Sequence, residues 1–248
     1  MKIRAGNNGF GEFAEHRALL AALSDDLALP LLQIKTSLEL VQHEDFAKAT
    51  LLRQAKTMAL STEAGLQLIE AYRLALHVNE NVELSLEPVS VGAVLQDVAH
   101  ELTPYAKQYD TDLEVDVQGK LSPVLAHQAS LFAALQCLSA SMIRAQAAQD
   151  RQKRYRMMLG AHKTPDNVIA TGVFSNIQGL SDRTLRAARH LIGKARQPLP
   201  NVPTGAAGGV LIADMLCSAM WQPLRHAAHK NMGGLATGVP VTKQLQLI

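Results

Sequence analysis

A chain of 248 residues holds one large domain or two modest ones, and with 48% hydrophobic and 19% charged residues it can bury a globular core. No apolar run reaches the roughly 18–20 residues of a membrane span, Met1 to Gly9 lacks the apolar core of a secretory leader, and Cys137 and Cys217 lie too far apart for a metal-ligand spacing. Both cysteines sit in apolar helical patterns and suit a reducing compartment, so the expectation is a cytoplasmic protein without disulfides. The net charge of +2 is uneven: Arg151 to Arg196 is strongly basic and the first eighty residues lean acidic, which reads as a solvated basic face.

From Phe13 to Val41 the residues Leu20, Leu23, Leu27, Leu31, Ile34, Leu38 and Val41 recur at steps of three and four, the seam of a packing helix. Gln42 to Asp45 reads as a short polar turn, with Asp45 an N-cap candidate. A second helix is predicted from Phe46 to Leu76, with Leu51, Ala55, Met58, Thr62, Gly65, Ile69, Tyr72 and Leu76 as its seam. So short a turn makes the helices antiparallel. One stripe per helix buries too little alone, so the hairpin is expected to pair with a second copy as a four-helix bundle. Pro30 stands out, because an interior proline costs about 3 kcal/mol and removes the hydrogen bond to the carbonyl of Asp26. With Leu27 in the seam, Asp25 lies about 200° round the helix and faces solvent.

Asn79 to Asn81 reads as a linker, which divides the chain into residues 1–80 and 81–248. Beyond it, Val82 to Val91 alternates as a strand. A helix runs from Val91 to about Tyr109, followed by strands at Asp112 to Val117 and Val124 to Ala126. Gln128 to about Gln149 is an amphipathic helix through Leu131, Leu135, Leu138 and Met142. Tyr155 to Leu159 and Val168 to Phe174 form a hairpin around Pro165 and Asp166. A helix around Ser181 to Ile192, a Pro/Gly-rich loop from Gln197 to Gly205, a helix from about Gly208 to Met220 and one or two short strands between Gly233 and Ile248 complete the chain. This mixture predicts an α+β layer sandwich. His226 and His229 share a helical spacing without further ligands and read as surface histidines.

The segment Ser24-Asp25-Asp26-Leu27-Ala28-Leu29-Pro30-Leu31 resembles the phosphoacceptor box of bacterial sensor histidine kinases, roughly Ser-His-Glu-Leu-Arg-Thr-Pro-Leu on the first helix of a hairpin. Ser24, Leu27, Pro30 and Leu31 match. Asp25 stands at the phosphorylated position, Asp26 at that of the proton-accepting acid, Ala28 at the basic position and Leu29 at the polar one. The order of elements after residue 80 resembles the family's GHKL-type ATP-binding domain, shared with gyrase. The resemblance implies a dimeric helical hairpin followed by a degenerate GHKL-type α/β sandwich.

Each nucleotide motif implied by the resemblance has lost its chemistry here. The helix motif Asn-Leu-x-x-Asn-Ala, whose asparagines hold magnesium, is matched by Cys137-Leu138-Ser139-Ala140-Ser141-Met142. Magnesium prefers hard oxygen ligands in near-octahedral geometry, which a thiol and a lone hydroxyl supply poorly. At the adenine-binding motif Asp-x-Gly-x-Gly, Ser175 replaces the aspartate and Ile177 the first glycine, leaving Gly179. The glycine-rich lid keeps Gly205 and Gly209 at its ends. The expectation is that ATP and magnesium binding are lost and that no metal or other cofactor is held.

The function implied is that of a pseudokinase, a dimeric scaffold in two-component phosphorelay signalling. Its partner would be the receiver domain of a response regulator, or a histidine kinase, docking on the lower hairpin around Gln33, Thr36, Ser37, Glu39, Leu52, Lys56 and Ala59. The alternatives are a histidine-phosphotransferase-like phosphorelay protein, a kinase that retains ATP binding, and a nucleic-acid surface around Arg183, Arg186 and Arg189, which lacks a base-reading motif.

Overall fold

The computed structural model describes residues 8–43, 48–79, 84–149, 154–175, 207–220 and 222–242. Two long helices open the chain, α1 (Asn8–His43) and α2 (Lys48–Asn79). Gln33 meets Ser61 and Leu27 meets Gly65, so residue numbers rise along one helix as they fall along the other; the pair is antiparallel. Helix α1 runs through Pro30 without a break, and Pro30 is buried. Gln42 and His43 belong to α1 rather than to a turn, and the Asp45 cap lies outside the described residues.

The packed face of α1 differs from the seam that spacing predicts. Its inward residues are Leu23, Leu27, Pro30, Ile34, Ser37 and Val41, whereas Leu20, Leu31 and Leu38 are exposed. Both sets obey steps near three and a half, so α1 carries two apolar stripes, and only contact with a neighbour decides which is covered. Helix α2 repeats the arrangement. Ser61, Leu68, Ala71, Tyr72 and Ala75 are buried, while Leu51, Ala55, Thr62, Leu66 and Ile69 face outward.

The second half begins with β1 (Glu87–Val89) and α3 (Val91–Gln108), whose first turn is capped by the Ser90 hydroxyl accepting from the Ala93 N–H. Then follow β2 (Thr111–Val117), β3 (Val124–Ala126) and α4 (Gln128–Gln149). The hairpin β4 (Tyr155–Lys163) and β5 (Val168–Ser175) comes next, then α5 (Ala207–Ala219), β6 (Arg225–His229) and β7 (Met232–Pro240). Strand β6 is absent from the sequence-based expectation, because Arg225-His226-Ala227-Ala228-His229 has no β-branched or aromatic residue. The helix expected around Ser181 to Ile192 and the loop from Gln197 lie outside the described residues.

The five-stranded sheet has the order β2-β4-β5-β7-β6; β2 and β4 are parallel and the other pairs antiparallel. Helices α3 and α4 lie against the sheet, α5 packs on α4, α1 contacts α5, and α2 contacts both α4 and α5. One apolar core runs from Leu68, Tyr72 and Ala75 of α2 through Leu135, Leu138 and Met142 of α4 and Leu216 of α5 to Leu159, Val173 and Leu235 of the sheet. The architecture is an α+β sandwich with a helical hairpin docked on its helix layer.

Candidate functional site

Leu138, Met142 and Ile143 bury α4 against the sheet, and this fixes where Cys137 and Ser141 point. Residues at i and i+4 share a helix face, and the start of α5 covers Ser141 and the Cys137 carbonyl on it. Gly209 sits directly on it. A Cβ built at Gly209 would overlap the Ser141 hydroxyl and lie 2.9 Å from the carbonyl oxygen of Cys137, so only glycine admits this approach. Cys137 and Ser141 are both buried. The guanidinium of Arg144 donates to the Ser141 hydroxyl at 3.4 Å. Ser175, at the end of β5, is also buried and pairs in register with Met157. Gly179 and Gly205 lie outside the described residues.

Cys137 and Ala140 of α4 also line a solvent-open crevice between α2, α3 and α4. Its polar lining is Glu63, Gln67, Glu101, Gln136 and Arg144. The amides of Gln67 and Gln136 donate to Glu101 at 3.4 and 2.8 Å. Two carboxylates against one guanidinium are the wrong charge balance for a polyphosphate. Among the described residues, those at the magnesium-motif positions do not fit the ion: the Ser141 hydroxyl is packed under Gly209 and bonded by Arg144, and its neighbour one turn away is the Cys137 thiol.

A polar chain ties the hairpin to α3. The Ser61 hydroxyl donates to Gln33 Oε1 at 2.9 Å, and Gln33 Nε2 donates to the Tyr109 hydroxyl at 3.1 Å. The Tyr109 and Tyr105 rings pack with centroids 4.9 Å apart, and burial holds the Tyr105 phenol well above the ordinary tyrosine range. Gln33 is thus a linking residue, and Ser37 is buried. Neither shares the exposure of the other predicted docking residues, Thr36, Glu39, Leu52, Lys56 and Ala59. The physical reason is the heptad: Gln33 and Ser37 fall on the stripe of Pro30 and Ile34 that faces inward.

In the phosphoacceptor-like box, Ser24 and Ala28 are exposed and Leu27 is half-buried against Gly65. Asp25, Asp26 and Leu29 lie within α1, with their side chains outside the description. Among the described residues no group of three or more His, Cys, Asp or Glu is placed to hold a metal ion. No helix among them is long and apolar enough to cross a membrane.

One cluster escaped the sequence reading. His229 lies on β6 rather than on a helix, and it is buried rather than at the surface. It bonds Asp116 of β2 and His162 of β4, while Lys230 bonds the same aspartate. Nothing in the spacing of residues 116, 162 and 229 announces this, since only the folding of the sheet joins them.

Comparison with known proteins shows the fold. No protein-family model matches the chain, and neither does any curated protein. Among solved structures, full-length ShkA in complex with AMPPNP is 16% identical at a TM-score of 0.53, covering 94% of this chain and 46% of ShkA. The chain therefore spans less than half of that protein. The histidine kinase ThkA in complex with the response regulator TrrA is 10% identical at a TM-score of 0.53, covering 90% of this chain and 61% of that one. A bacterial phosphotransferase is 10% identical at a TM-score of 0.51, covering 95% of this chain and all of that one. The chain has the fold of a sensor histidine kinase core.

Proposed function

We propose that this protein is a catalytically inactive relative of the histidine kinases that works by binding, as a dimeric scaffold for receiver domains. The observation that carries the reading is the seating of Gly209 on Ser141 and Cys137, where the family's magnesium ligands would stand. A site packed with its own helix, and offering a thiol and one engaged hydroxyl in place of two amide oxygens, supports loss of nucleotide binding. The ThkA complex with TrrA supports a response regulator as the class of partner. The exposed Thr36 and Glu39 on α1 and Leu52, Lys56 and Ala59 on α2 form the proposed docking surface.

Self-association is supported by the uncovered stripes. Leu31 is 61% exposed and Leu66 57%, with Leu20, Leu38, Leu51 and Ile69 also open. A stripe of this kind on each helix suits a four-helix bundle of two hairpins. Residues 1–80 would then be the dimerisation unit and 81–248 the sandwich unit.

Thermal melts with millimolar ATP and magnesium test the central point. A ligand at a hundred times its Kd stabilises the fold by about 2.7 kcal/mol. The expected shift is zero, and a saturable rise in Tm would overturn the reading. A purified receiver domain should bind, and Leu52→Glu with Lys56→Glu should weaken it at least about tenfold. A second reading, a phosphorelay transferase, draws on the similarity to a bacterial phosphotransferase over that protein's whole length. Stable phosphate on this chain after incubation with a phosphorylated receiver would favour it over the scaffold.

A further inference from the structure

Strands β2 and β6 are opposite edges of the sheet. In a flat sheet four strand spacings would hold them about 19 Å apart, beyond the reach of two side chains. They nevertheless touch. The His229 imidazole bonds Asp116 through Nε2 at 2.7 Å, and Lys230 Nζ bonds the other carboxylate oxygen at 2.5 Å. The sheet has therefore curled until the β6–β7 turn lies over the outer face of β4 and β5. Lys230 and Asn231 both have positive φ in that two-residue turn, which suits the twist of a tight hairpin. Gly160 of β4 makes room, because a Cβ there would meet Phe174 at 2.9 Å and His229 at 3.0 Å. Beneath the turn, Met158, Phe174, Met232 and Ala236 form a small apolar cluster separate from the main core, and the His229 ring stacks on Phe174 at 5.0 Å.

The hydrogen-bond arithmetic of this cluster is constrained. His229 Nε2–H donates to Asp116, so in the neutral ring Nδ1 carries a lone pair. His162 Nδ1 lies 3.2 Å from that atom and supplies the hydrogen between them. The two rings accommodate one extra proton, on His162 Nε2. A second would turn both Nδ1 atoms into donors and break their bond. The groups facing His229 are Asp116 from β2, His162 from β4, Lys230 from the turn and the uncharged Phe174 from β5. Full protonation would therefore set three positive charges against one carboxylate. Burial, and then the neighbouring His229, already hold the His162 imidazole below its ordinary pKa.

We propose that Asp116, His162 and His229 form a proton-operated latch that pins the β6–β7 turn across the sheet, opens on acidification and uncovers the apolar cluster around Phe174. The device is independent of the scaffold reading, since it uses no residue of the hairpin or of the nucleotide motifs.

The test is amide hydrogen exchange between pH 8 and pH 5, read as protection factors, together with imidazole 15N spectra that report the tautomers. At pH 8 His229 should show the Nε2–H tautomer. On acidification the amides from Ala228 to Met232 should lose at least tenfold in protection relative to Leu159 and Val173. His162→Gln keeps a donor to His229 without a charge, so the turn should stay protected to pH 5. His229→Gln should expose it at every pH. Protection of the turn that is independent of pH in the wild type, or the same acid opening in His162→Gln, would overturn the proposal. If His229→Gln fails to fold, His162→Gln alone still decides between the outcomes.

Discussion

Replacing Gly209 with alanine tests most directly whether the start of α5 is seated on Ser141 and the Cys137 carbonyl of α4. The added methyl would overlap the Ser141 hydroxyl and lie 2.9 Å from the Cys137 carbonyl, a backbone atom that cannot swing away. Overpacking of this kind costs about 1–3 kcal/mol, and alanine's better helix propensity returns at most about 1 kcal/mol. With that return in full the net loss is about 0–2 kcal/mol, which for a chain of this size lowers Tm by up to about 8 °C, so the coupling to Ser141 is the sharper readout. Ser141→Ala removes the nearer obstacle and leaves the carbonyl, so the double variant should recover part of the loss, with a coupling above about 0.5 kcal/mol. Gly209→Val should be worse than Gly209→Ala. Urea melts of the parent and the four variants, read by far-UV circular dichroism, supply the free energies. A Gly209→Ala variant as stable as the parent, with no coupling to Ser141, would refute the seating of α5 on α4 and reopen the site to a ligand.

Other outcomes follow from the same packing. Leu31→Glu should cost the single chain little, because an exposed substitution lies within about 0.5 kcal/mol, yet it should convert the proposed dimer to a monomer by light scattering; a parent of monomer mass, or a mass unchanged by the substitution, would remove the bundle from consideration. Leu138→Ala, at a fully buried position of α4, should destabilise by about 2–5 kcal/mol in the same urea melts. Burial pushes the Cys217 thiol up to about 12, so it should resist iodoacetamide at pH 8 in the native state and react on denaturation, by mass spectrometry. His162 has a lowered folded-state pKa, so its contribution to stability is complete above its unfolded value of about 6.5 and is lost as pH falls below it. Asp116 is held low by Lys230 first and His229 second, so its contribution is complete above about pH 4 and is lost below that. Melts from pH 8 to pH 3 should therefore weaken in two steps, and His162→Gln should remove only the upper one.

Much of the architecture was readable before any coordinates. The helices α3 and α4, the hairpin β4–β5 and strands β2 and β3 stand where periodicity and turn residues place them, because each is built from local spacing and a local stop signal. Strand β6 was not readable: it is short and rich in alanine and histidine, and it is held by its pairing with β7 rather than by any preference of its own. The positions of Cys137, Ser141 and Ser175 could be singled out from sequence by resemblance, whereas the approach of Gly209 to Ser141 and to the Cys137 carbonyl could not.

The sequence by itself determined that α1 and α2 are helices with apolar stripes and that Ser24 to Leu31 holds an interior proline and no histidine. Helical periodicity is a property of single residues along one axis, so it survives without a third dimension. Tertiary structure decided which of two equally periodic stripes is covered, turned Gln33 and Ser37 inward, and brought Asp116, His162 and His229 into one cluster from three separate strands. Those outcomes depend on which surfaces meet, which no local pattern encodes.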